Sequence, residues 1–392
     1  MILNIADNIV SPLGFTSDEN WAAVLRGDSA LALHEGELGV PEPFFGGTFD
    51  NLRIDERFER IAENGKVKPH RPTKFEKIAI LSAENAIKQA NIDPTTPEVR
   101  FVISTTKGNV ELLDNPNGYD YSRLYLWSSA KIIADFFGNV NEPVIVSNAC
   151  ISGCVAQIVA ERLLEHDRCR YVVVIGADVL SKFVVSGFQS FKSLSPELCR
   201  PFDAERCGLN LGEAAATIVY ARSDDSVAGH AVIGLEGSAI CNDANHISAP
   251  SRTGEGQLAA LEEIKRQASE SYSQAAFVSA HGTATRYNDD MESVALERAG
   301  MSHIPVNSLK GYFGHTLGAA GVLESVISKY ELTEKTVLKT KGTENVGTVS
   351  SVNVVLDNME LVDNQSFIKI ISGFGGSNAA LLFRNMKGEN HG

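Results

Sequence analysis

One order of segments runs through this chain twice, and that repeat dictates the architecture. In the first half, the apolar runs 100–106, 143–147, 171–178 and 212–220 read as strands. In the second half, 275–280, 306–308, 367–372 and 378–383 follow in the same order. Their Val and Ile content, without strict alternation, predicts strands covered on both faces, as βαβ units require. The stretches after Ala149 and after Gly314 are rich in Gly, Ala and Ser, which suits helices buried between sheets. Two halves, 1–222 and 223–392, therefore predict a duplicated five-layered α-β-α-β-α body, with one helix layer between two sheets.

At 392 residues the chain can bury a large core. No stretch approaches the roughly 20 apolar residues that a membrane helix requires, so no membrane insertion is expected. The N-terminal residues lack a basic region and meet Asp7 early, which argues against a secretory signal and for a cytoplasmic location. A net charge of −14 argues against a nucleic-acid partner. One local basic cluster stands out: Lys66, Lys68, His70, Arg71, Lys74 and Lys77. On charge alone it reads as a solvated helix start. Among the six cysteines no C-x-x-C pair forms and no His cluster completes a zinc spacing, so neither a metal site nor a disulfide is expected.

In open α/β sheets, sites gather at the carboxyl ends of strands. Cys150 follows such a strand in Ser147-Asn148-Ala149-Cys150-Ile151-Ser152-Gly153. A helix N-terminus or a neighbouring imidazole lowers a thiol's pKa, so Cys150 is expected to be an activated nucleophile toward a thioester carbonyl. His281 and His315 lie on Gly-flanked turns, Ala280-His281-Gly282-Thr283-Ala284-Thr285 and Gly311-Tyr312-Phe313-Gly314-His315, which let the rings approach a substrate closely. Neutral imidazoles donating Nε2–H to a carbonyl can hold an enolate while a carboxylate departs. The pair thus favours decarboxylation over hydrolysis, for which no orienting Asp or Glu is apparent. Lys310 is expected to be buried, with Glu324 in the following helix as its partner, either as a structural ion pair or to tune His315. In Gly373-Phe374-Gly375-Gly376, backbone N–H groups would complete an oxyanion hole with that of Cys150, and the Phe374 ring would gate access.

With these segments in place, the chain resembles the elongating β-ketoacyl-[acyl carrier protein] synthases of the thiolase superfamily over nearly its full length. The likeness also runs through Val10-Ser11-Pro12-Leu13-Gly14, Arg200-Pro201-Phe202-Asp203-Ala204-Glu205-Arg206-Cys207-Gly208 and Asp243-Ala244-Asn245-His246-Ile247-Ser248-Ala249-Pro250. The resemblance implies a thiolase-like fold and a ping-pong condensation. An acyl group moves from a carrier's phosphopantetheine thiol to Cys150. Malonyl-carrier protein then loses CO2 beside His281 and His315, and the carbanion attacks the acyl-cysteine to give a 3-oxoacyl-carrier protein.

It further implies that Thr283 and Thr285 bind the pantetheine arm with Ser248 nearby, and that Phe188 lines the acyl pocket. Lys68, Arg71, Lys74 and Lys192 would face the acidic carrier protein. No resident cofactor is implied, since the phosphopantetheine arrives on the carrier. A dimer is implied, either a homodimer or a heterodimer with a ketosynthase-like subunit. The segment 105–124 departs from the family's Gly-rich pattern, and Ser372 stands where an aromatic is common, so fatty-acid and specialised polyketide or polyene substrates both stay open. The alternative is a non-catalytic partner subunit that sets chain length, although such subunits usually lack the nucleophile. A thiolase would want a second catalytic cysteine late in the chain, and an initiating synthase an Asn at position 315.

Overall fold

A computed structural model describes residues 1–67, 71–114, 116, 118–222, 233–246, 249–363 and 365–386. Its main sheet contains β1 (Ile2–Val10), β2 (Val99–Ser104), β3 (Val144–Val146), β4 (Tyr171–Asp178), β5 (Ala214–Arg222), β6 (Ile233–Asn242), β7 (Ala275–Ser279), β8 (Pro305–Asn307), β9 (Asn353–Val354), β10 (Ser366–Gly373) and β11 (Ser377–Asn385). Their spatial order is β9-β8-β7-β10-β11-β6-β1-β5-β4-β2-β3.

The repeat is present in the pairing itself. In the first half β1 and β5 are antiparallel, as are β5 and β4, while β4, β2 and β3 run parallel. In the second half β6 and β11 are antiparallel, as are β11 and β10, while β10, β7 and β8 run parallel. β9 adds one further parallel edge.

Two features differ from expectation. The halves are not two separate sheets, because Ile2, Leu3 and Asn4 pair with Leu235, Gly234 and Ile233 and join the ladders into one. The two strands at this seam, β1 and β6, do not stand out as apolar runs. In β1, buried Asn4, Asp7 and Asn8 interrupt the pattern. Each has a partner: the Asn4 amide donates to Asp7 at 3.1 Å, the Asn8 amide nitrogen to the Phe15 carbonyl at 3.1 Å, and Lys329 pairs with Asp7 at 2.5 Å. Buried polar groups with partners are compatible with a central strand.

Five layers follow from which helix covers which face. Helix α1 (Lys74–Ala90), opened by a Thr73–Glu76 capping box, packs on β1, β5 and β4. Helices α2 (Ser152–Glu165) and α5 (Ala320–Thr333) form the middle layer and touch strands of both halves. Helices α3 (Glu255–Gln267) and α4 (Arg286–Arg298) cover the far face. Strand β4 shows the double coverage: Val172 and Val174 belong to the middle core, Val173 and Ile175 to the outer one. A Cβ on Gly321 would stand 2.4 Å from the Cys154 nitrogen, so the two middle helices meet backbone to backbone. Small residues are required there, as the sequence predicts. Among the described residues, no helix is long and apolar enough to cross a membrane.

Candidate active site

The carboxyl ends of β3, β7, β8 and β10 open onto one cavity of about 580 Å³ that includes Cys150, His281 and His315 in its wall. The thiol sulfur and ligand-type nitrogens of the two rings all lie within 4.8 Å of one another. The rings meet edge to face, with centroids 5.1 Å apart at 81°. Their turns are unusual backbone. Ala149, just before the thiol, has φ +45°, rare for a residue with a side chain. Ser152 steadies that turn, accepting from the Asn148 N–H at 2.8 Å and donating to the Ala149 carbonyl at 2.6 Å. Gly314 has φ +72°, and a Cβ there would lie 2.4 Å from the Leu211 carbonyl oxygen. Only glycine can precede His315 in this path.

Burial dominates the electrostatics. It pushes the Cys150 thiol up to about 11, against the pull of the Lys310 charge and the Phe374 amide. This corrects the expectation of a lowered thiol pKa: removal from water outweighs the helix start and its neighbours. Burial, aided by the Lys310 ammonium, holds both imidazoles well below 6.5, so both are neutral at pH 7. The Leu317 N–H donates to His315 Nδ1 at 3.4 Å, which assigns the ring hydrogen to Nε2. That Nε2 and His281 Nδ1 are buried with no hydrogen-bond partner among the described residues. Unmatched polar atoms at a cavity are groups that a ligand can satisfy.

Behind the rings, Lys310 is fully buried and its ammonium donates to Glu324, as the sequence anticipates. A second lysine, Lys369, also fully buried, was not anticipated. Its Nζ lies 2.7 Å from the other Glu324 oxygen and donates to the carbonyls of Ser279 (3.1 Å) and Ala280 (3.0 Å). Burial opposes ionisation of Glu324, but the two ammonium groups outweigh it and hold the carboxyl below its ordinary value.

Asp289 and Glu292 were also missed. Glu292 accepts from the N–H groups of His281 and Gly282, both at 2.7 Å, and Asp289 from those of Thr283 (3.0 Å) and Phe202 (2.7 Å). They grip the backbone of the turn rather than the His281 ring. Burial raises them to about 6 and about 7 respectively. The available signal was two acids three apart on the helix that directly follows the motif.

Thr283 and Thr285 line the cavity with hydroxyls 2.9 Å apart. The Phe374 ring stacks on Phe188 at 5.8 Å and meets Phe191 edge-on at 5.4 Å, so all three close one side of the cavity. Lys192 is exposed on the same cavity. Arg71 and Lys74 line a different one, and the Lys74 ammonium turns inward to buried Glu213 at 2.5 Å. The basic residues therefore do not form one exposed patch. Lys68 and Ser248 lie outside the described residues. A thiol with two imidazoles is also a ligand set that zinc accepts. Here the thiol is held protonated by burial, and two ammonium groups stand behind the rings; both oppose a dication.

The family model for the β-ketoacyl synthase N-terminal domain matches residues 3–226, and that for the C-terminal domain matches 231–344. The chain is 28% identical over 421 positions to a 3-oxoacyl-[acyl-carrier-protein] synthase 2 of Rhizobium meliloti, covering 97% of each chain. It is 25% identical over 419 positions to the synthase 2 of Vibrio cholerae, covering 96% of this chain and 97% of that one. Among solved structures, a chain of the complex of the ketosynthase ApeO with its chain length factor ApeC from Xenorhabdus doucetiae superposes with a TM-score of 0.84 at 23% identity, covering 98% of each chain.

Proposed function

This chain belongs to the β-ketoacyl synthase family, and on that premise we propose how its cavity carries out a decarboxylating condensation on acyl carrier protein substrates. The enzyme is an acyltransferase of the 3-oxoacyl-[acyl carrier protein] synthase type. In the first stage Cys150 Sγ bonds to the acyl carbon of an acyl-carrier thioester. The bond to the phosphopantetheine sulfur breaks, and the thiol proton passes to that departing thiolate through the neutral imidazole pair. In the second stage malonyl-carrier protein takes the vacated arm site. Its carboxylate leaves as CO2, and the electron pair moves toward the thioester oxygen, held by ring N–H groups of His281 and His315. The carbanion then bonds to the acyl carbon, the bond to Cys150 breaks, and the 3-oxoacyl-carrier protein is released while the expelled thiolate takes up one proton from water to restore the thiol. The amides of Cys150 and Phe374 stabilise the oxyanion between these steps.

The observation that carries this reading is the approach of one thiol and two neutral, under-satisfied imidazoles to within 4.8 Å on one cavity. Thr283 and Thr285 supply hydroxyls to the pantetheine arm, Phe188 and Phe374 flank the acyl group, and Lys192 meets the carrier's acidic surface. The arm arrives on the carrier, so no resident cofactor takes part. The nucleophile belongs to the half 1–222 and the imidazoles to the half 223–392. A cytoplasmic dimer completes the reading. Whether its partner is a second copy or a chain-length subunit, as in the ApeO–ApeC complex, is decided by mass measurement of the purified assembly.

The test uses purified protein, an acyl-carrier protein and mass spectrometry of the digested enzyme. The acyl mass is expected on the Cys150 peptide and absent in Cys150→Ala. Label on another thiol, such as Cys207 in the same cavity, or label persisting in the variant, overturns the mechanism.

A further inference from the structure

We infer that Lys369 is a positioning residue for the two imidazoles, a second buried cation that anchors the strand end before His281 and leaves positive charge uncancelled behind the ring pair. The inference builds on the condensing reaction proposed above. Lys369 interrupts the apolar strand Phe367-Ile368-Lys369-Ile370-Ile371, and by alternation it shares the middle-layer face with Phe367 and Ile371. An ammonium there is costly unless its protons are matched. Two carbonyls accept from Nζ at 3.0–3.1 Å, and a carboxylate oxygen of Glu324 lies 2.7 Å away as its ion-pair partner. Two of those partners are the carbonyls of Ser279 and Ala280, the residues immediately before His281. Lys369 therefore ties β10 to the backbone that leads into His281, adding to the grip of Glu292 on the His281 N–H.

Charge accounting gives the second half of the argument. The cluster holds the cations Lys310 and Lys369 and, between them, one carboxylate, Glu324. The other titratable groups facing it are Cys150 and Cys154 from the α2 segment, Glu331 from α5, and Asp289 and Glu292 from α4, with Arg206 beside Asp289 at 3.9 Å. Burial raises Glu331 to about 8 and Glu292 to about 7, so these two do not fully supply the missing negative charge at neutral pH. One carboxylate cannot cancel two ammonium groups. Burial does most to keep both imidazoles unprotonated; the surplus adds to it, and the same field favours the enolate oxygen that forms between them.

Two substitutions separate anchoring from charge. Lys369→Met removes both, whereas Lys369→Gln keeps N–H donors for the two carbonyls and removes only the charge. CO2 release from malonyl-carrier protein is measured against pH, alongside Cys150 acylation from an acyl-carrier protein. In Lys369→Met, CO2 release is expected to fall roughly tenfold through misplacement of the ring. Its acid limb should move up by about one pH unit as the imidazoles gain protons more easily. Lys369→Gln should recover much of the rate yet keep the shifted limb. Acylation should fall far less in both, because the cations acting on the thiol are Lys310 and Lys107. An acid limb that stays where the parent enzyme has it, or equal loss of acylation and CO2 release in both variants, overturns the inference and leaves the condensing reaction standing. A parent enzyme that neither acylates Cys150 nor releases CO2 overturns both.

Discussion

Strands β4 and β10 hold the same place in the two halves, each parallel to one neighbour and antiparallel to the other, yet their interiors differ. β4 is apolar on both faces from Val172 to Ile175, and its one acid, Asp178, sits at the end. There it accepts from the Thr105 hydroxyl (2.7 Å), the Thr106 N–H (2.9 Å) and the Gly318 N–H (2.7 Å), tying the first half to the turn after His315. β10 instead carries an ammonium at its centre, beside Glu324 and the His281 turn. Topology brings the loops of both halves to one rim. Single buried residues then divide the labour: the first half offers a buried, protonated sulfur, the second a charged frame for two neutral rings.

The largest effect that sharpens this contrast comes from the rings. His281→Ala and His315→Ala should each lower CO2 release about 100- to 1,000-fold, the scale of losing one donor to a developing anion. Cys150 acylation should fall much less, and equal loss of both partial reactions would erase the division of labour. Next comes the frame. Glu324→Leu strands two buried ammonium groups and should cost about 3–5 kcal/mol in denaturant unfolding, the range for breaking a buried pair; a cost near zero would mean that water reaches the lysines.

On the sulfur side, a thiol raised to about 11 is protonated at neutral pH, so its reactive fraction grows as pH rises. Alkylation of Cys150 by iodoacetamide should climb about tenfold per pH unit between about pH 7 and 9. A plateau in that range would show a thiolate already formed. The smallest effect lies at the mouth. Lys192→Ala should raise KM for the carrier substrate by less than about tenfold, leave kcat alone and weaken the salt dependence of KM.

Much of this was legible in the residues. Apolar runs located eight of the strands, and their carboxyl ends placed Cys150, His281, His315 and Phe374 on one rim. The Gly- and Ala-rich segments foretold helices buried between the sheets, and the two prove to meet backbone to backbone. What stayed hidden shares one cause: a polar residue inside a core looks like a solvated one until its partners are known. Asn4, Asp7 and Asn8 obscured β1, and Lys369 drew no notice inside an apolar strand. Asp289 and Glu292 drew no notice in the sequence, and both are buried. Lys74 was assigned to an exposed patch, but it faces Glu213, an acid 139 positions away in sequence. The thiol's direction of shift failed for a related reason, because depth of burial is not written in the local motif.

The division of labour is tested most directly by CO2 release from malonyl-carrier protein in Cys150→Ala. With His281, His315 and their buried cations intact, release is predicted to continue although no 3-oxoacyl product forms. If release stops as completely as condensation, the sulfur takes part in decarboxylation itself, and the separation of nucleophile from enolate site is wrong.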